Sequence, residues 1–110
     1  MHELTKRERK LARELISASV EKEFETGLKE ADAILQKWKG NEKPGREAFH
    51  ELRNHLNDFR KYLARRYDDL RGSTYLLVIS AIFKDGYITE EDIKDFSEET
   101  KEVIRRWSSL

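Results

Sequence analysis

The chain has 110 residues, 40% of them charged, and its 22 Lys and Arg balance 22 Asp and Glu. A net charge of zero provides no long-range field to draw DNA, RNA or an anionic membrane, and basic runs such as Lys6-Arg7-Glu8-Arg9-Lys10 and Arg65-Arg66 are interleaved with or followed by acids, as on solvated helix faces. The absence of cysteine excludes disulfides, iron–sulfur clusters and thiol catalysis. The charged start of the chain and the lack of any apolar run near the ~20 residues of a membrane span point to a cytoplasmic protein.

The first element runs over residues 5–39. Leu11, Leu15, Ile16, Val20, Phe24, Leu28, Ala31, Leu35 and Trp38 recur mostly at steps of three or four, the stripe of an amphipathic helix. Lys39-Gly40-Asn41-Glu42-Lys43-Pro44-Gly45 stops it, with Gly40 expected in a left-handed position and Pro44 unable to continue a helix. A second long helix is expected over 46–71, where Phe49, Leu52, Leu56, Phe59, Leu63, Tyr67 and Leu70 form nearly a heptad seam. Gly72 is expected just past its end and Ser73 as the next N-cap.

Tyr75-Leu76-Leu77-Val78-Ile79-Ser80-Ala81-Ile82-Phe83 is continuous enough to suit a buried strand as well as a helix. With no second strand in the chain to pair with it, its backbone groups would stay unsatisfied, so a helix over 73–85 is expected. Asp85-Gly86 closes it. Thr89, followed by Glu90-Glu91-Asp92, is expected to cap a fourth helix over 89–107 whose inner face carries Ile93, Phe96, Val103, Ile104 and Trp107. The expectation is one all-α domain, 1–110, in which two long helices form a hairpin and two short ones a head.

A first helix of that length would extend roughly 50 Å at ~1.5 Å per residue, whereas a compact domain of ~100 residues has a radius of gyration of only ~13 Å. The hairpin must then project with part of its seam uncovered, and exposed apolar area of that kind marks an interface. A homodimer that forms an antiparallel four-helix bundle resolves this, with Val20, Phe24, Leu28, Leu35, Leu52, Leu56, Phe59 and Leu63 at the interface.

Chemistry-bearing constellations are missing. His50 and His55 are five apart, whereas metal-binding histidines on a helix want three or four. Asp85-Gly86-Tyr87-Ile88 resembles the middle of a calcium loop, but Ala81 and Phe83 stand where oxygen ligands are needed. Asp68 and Asp69 diverge by about 100° on a helix and suit structural bonds to nearby arginines. No Gly-rich phosphate loop or nucleophile–base pair is present, so neither an enzyme nor a cofactor nor a metal is expected.

Arg66-Tyr67-Asp68-Asp69-Leu70-Arg71-Gly72-Ser73, the apolar run to Phe83, Asp85-Gly86-Tyr87-Ile88 and, upstream, Phe49-His50-Glu51-Leu52 through Arg60 resemble the fluorescence recovery protein family over roughly Phe49 to Ile93. The resemblance implies an all-α dimer, joined through its long helices, that binds photoactivated orange carotenoid protein and speeds its return to the resting form, without a cofactor. It also implies a partner-binding patch at His50, Arg53, Asn54 and Arg60. Arg60 matches the family's arginine, whereas His50, Arg53 and Asn54 stand where those members typically have tryptophan, histidine and aspartate. The partner is therefore expected to be orange carotenoid protein or a related domain, with an interaction or stress adaptor for a different protein as the alternative reading.

Overall fold

The computed structural model describes residues 2–110; residue 1, part of the expected 1–110 domain, lies outside the described residues. Four helices follow one another, α1 (Lys6–Lys39), α2 (Gly45–Tyr67), α3 (Tyr75–Lys84) and α4 (Glu98–Ser108), and no strand occurs among the described residues. The run after Thr74 is thus helical, as the pairing argument requires. Where the sequence reads as one domain, the packing groups the chain into two compact units, one comprising the residues up to Lys22 together with Asp69–Leu110, the other Glu23–Asp68. Helix α1 contributes its first half to one and its second half to the other. No helix among the described residues is long and apolar enough to cross a membrane.

The first unit is closed by an apolar core in which Ala12, Ile79, Ile82, Ile93 and Ile104 are fully buried. Its entry into α1 is a capping box: the Glu8 amide donates to Thr5 Oγ1 at 3.1 Å and the Thr5 amide donates to Glu8 Oε1 at 3.2 Å. Glu8 does more than cap, since its other oxygen accepts the Ser97 amide at 3.1 Å and so ties α1 to the start of α4. Burial pushes the Glu8 carboxyl up, but hydrogen bonds from Thr100, Thr5 and Ser97 outweigh it and hold it below its ordinary value.

Helix α4 begins nine residues later than the 89–107 span expected. Thr89 closes a tight turn instead, its amide and hydroxyl both donating to Asp92 Oδ2, at 2.8 and 3.1 Å. Residues 90–95 stay in turns, which lets Ile88, Ile93 and Phe96 all point into the core. Ser97, extended at φ −61°, ψ 158°, then caps α4 by accepting the Thr100 amide at 3.2 Å. At the other end of this segment Gly86 takes φ +83°, the left-handed position that closes α3.

The second unit is an antiparallel helical hairpin. Its turn uses Asn41, at φ 61°, as the left-handed residue where Gly40 was expected, and Pro44 as the extended N-cap of α2. Helix α2 ends at Tyr67, four residues before the 46–71 span does, and Asp68 is its C-cap. Thr74 rather than Ser73 then precedes α3, with its hydroxyl accepting the Arg71 amide at 3.1 Å and donating to the Asp69 carbonyl at 2.6 Å. Asp69 pairs with Arg71 at 3.1 Å, the structural use expected of it.

The buried side of α1 follows the expected stripe only in part, at Ile16 and Ala31. Ala12, Ile16, Ser19, Glu23, Gly27, Ala31 and Ile34 are buried, one helical row away from Val20, Phe24 and Leu28. Small residues let the partner helix come close. At Gly27 a Cβ would lie only 2.7 Å from Phe59 Cε1, so the absence of a side chain is what makes room for that ring.

Candidate protein-interaction site

Helix α2 presents His50, Arg53, Asn54 and Arg60 on one face, within an arc of about 120° at ~100° per residue. All four are exposed. The structure therefore places the residues implied by the family resemblance together, on one surface of the hairpin unit. His50 and Asn54 also border a shallow groove with Glu30, Ile34, Glu47 and Asp58.

Behind this face the hairpin is held by polar contacts. His55 Nε2 lies 2.9 Å from the Gly27 carbonyl, its Nδ1 3.6 Å from Glu30 Oε2, and its ring stacks on Phe59 with centroids 6.0 Å apart. Glu23 is fully buried, and Tyr62, Tyr67 and Arg66 converge on it. The Tyr62 hydroxyl donates to Oε1 at 2.5 Å, the Arg66 guanidinium donates to the same oxygen at 3.3 Å, and the Tyr67 hydroxyl donates to Oε2. The Arg66 guanidinium also lies over the Tyr62 ring, 5.1 Å from its centroid. Burial, then the hydrogen bond to Glu23 and its charge, push the Tyr67 phenol far above its ordinary value. These contacts set the register of α2 on α1, and so the orientation of the outer face of α2.

A second surface of the same unit is apolar. Phe24 is 49% exposed, Leu28 66%, Phe49 68% and Leu56 49%, values that leave four large side chains in solvent. Of the other residues expected at a dimer interface, Leu35, Leu52 and Phe59 are half-buried, as is Val20 in the first unit. Leu63 departs from that expectation, being already buried within the single chain. Phe49, which the expected interface omits, belongs to the open face.

Glu23 and Gly27 went unmarked at the level of sequence, and His55 was weighed there only as a metal ligand. A lone Glu in a helix rich in Glu and Lys carries no pattern, and only Tyr62 and Tyr67, five residues apart on α2, together with a glycine inside α1, hint at a close polar contact. Among the described residues no group of three or more His, Asp or Glu side chains is arranged to hold a metal ion. Compared with protein-family models, with curated proteins and with solved structures, the chain gives no match.

Proposed function

We propose that this chain is a non-enzymatic, cytoplasmic regulatory protein that pairs with a second copy of itself and offers the outer face of α2 to a protein partner, as fluorescence recovery proteins do. The supporting observation is the exposure of His50, Arg53, Asn54 and Arg60 on one helix face, beside an open apolar surface of Phe24, Leu28, Phe49 and Leu56. Soluble proteins rarely leave such contiguous apolar area uncovered. Burying each of those side chains fully is worth about 1.5–3 kcal/mol, and two hairpins packed face to face as an antiparallel four-helix bundle would cover all of them.

On this reading the partner is photoactivated orange carotenoid protein or a related domain. Adding the purified chain to the photoactivated carotenoid protein in the dark should accelerate its red-to-orange reversion. If the chain neither binds nor accelerates at high concentration, the carotenoid protein is not its partner. The second reading, an adaptor of the same architecture for a different protein, is favoured by His50, Arg53 and Asn54, which replace an indole, an imidazole and a carboxylate with groups of other size and charge. Recovery of the carotenoid protein alone from the native lysate would count against it.

A further inference from the structure

We propose that the outer face of α2 is a docking strip for an acidic helix of a partner protein. This rests on the reading of α2 as the partner-facing helix and specifies the chemistry of that partner. Arg46, Arg53 and Arg60 are spaced by seven residues, which puts successive guanidinium groups ~10.5 Å apart along the axis and on nearly the same line, with a drift of only ~20° per heptad. All three are exposed, and among the described residues none makes an ion pair or a side-chain hydrogen bond. Asn54, Asn57 and Lys61 share the face and are exposed too. Within this arc of α2 there is no carboxylate, although the whole chain carries as many acids as bases.

The spacing selects the partner. A row of arginines at heptad intervals meets carboxylates at heptad intervals on a facing helix, and each guanidinium can hold a carboxylate through two parallel hydrogen bonds. Nucleic acid fits less well, because Glu47 and Asp58 border the strip and would stand against phosphates, and the net charge of zero supplies no supporting field. Arginines left in water next to each other, without a single acid among them, gain nothing for the fold of the isolated chain; an acidic surface gives them a use.

The test uses the full chain and two designed helical peptides with the same apolar pattern, one carrying Glu and the other Lys at every seventh position. Fluorescence anisotropy should show binding of the Glu peptide, weakened by salt, and none of the Lys peptide. A triple variant, Arg46→Glu with Arg53→Glu and Arg60→Glu, should reverse that preference, and Arg53→Gln alone should weaken the Glu peptide by up to about fivefold. Helical content and oligomeric mass of the variants should match the parent chain, since the altered side chains are exposed. Equal binding of both peptides, indifference to the charge reversal, or displacement of the Glu peptide by a DNA duplex would overturn the inference. So would loss of self-association in the triple variant, which would assign the arginines to the contact between copies. Failure of the peptide arms with an intact dimer that still accelerates carotenoid reversion would sink the acidic-helix inference and leave the proposed function standing.

Discussion

Glu23 is the side chain on which the hairpin's polar interior converges. Replacing it with Ala would leave two phenols and a guanidinium without their acceptor inside the hairpin, and removal of one partner from a buried pair costs about 3–5 kcal/mol. Urea unfolding of Glu23→Ala should show a loss of that order, and a loss of a few tenths would mean that the contacts of Tyr62, Tyr67 and Arg66 are dispensable. Tyr67→Phe removes one donor only and should cost about 1–3 kcal/mol, the penalty of an oxygen left short of a partner. Glu8 gives a pH signature. Its folded-state pKa lies below the ordinary 4.5, so its contribution to stability is present above that value and is lost as the pH falls through the depressed folded value. Thermal unfolding of the parent chain against Glu8→Gln should therefore show a difference at neutral pH that shrinks on acidification below ~4; a constant difference would contradict the hydrogen-bonded role of the carboxylate.

At the scale of elements, the four helices were legible because each carries a period or a continuous apolar run, and the chain lacks any partner for a strand. Their ends were legible only where turn chemistry is unambiguous. Gly86 closes α3 as read, whereas Gly40 and Gly72 drew attention away from Asn41 and Asp68, which do the work of ending their helices. The late start of α4 follows from a competition between two caps: Thr89 with Asp92 makes a self-contained turn, and Ser97 with Thr100 starts the helix. The buried face of α1 was legible only in part, for a physical reason. Hydrophobicity singles out Ile16 and Ala31, which are buried, along with Phe24 and Leu28, which stay exposed, whereas the close approach of the Phe59 ring at Gly27 carries no apolar signal. Gly27→Ala tests this directly. In an exposed helix the change would stabilise by up to about 1 kcal/mol, whereas here the new methyl group meets the Phe59 ring and the melting temperature should fall. A rise would show that Phe59 swings away freely. Of the candidate site, the sequence placed His50, Arg53, Asn54 and Arg60 on one helix and the structure shows them exposed on one face of it, while the polar contacts behind them had no signature in the sequence.

For the whole molecule, the decisive feature is an apolar surface on the hairpin unit that its own chain does not cover. Self-association through it would cover Phe24, Leu28, Phe49 and Leu56, which the chain itself leaves exposed. Phe49→Glu combined with Leu56→Glu would place charges in the middle of that face and should give a helical single chain, since both side chains are already exposed and their loss leaves the hairpin contacts intact. If that variant still dimerises, the copies meet elsewhere. The most direct measurement is light scattering coupled to size exclusion on the parent chain at working concentration. A mass near twice the 13.1 kDa of one chain is expected, falling to one chain in the double variant; a stable, well-folded single chain in the parent protein would contradict self-association through this face.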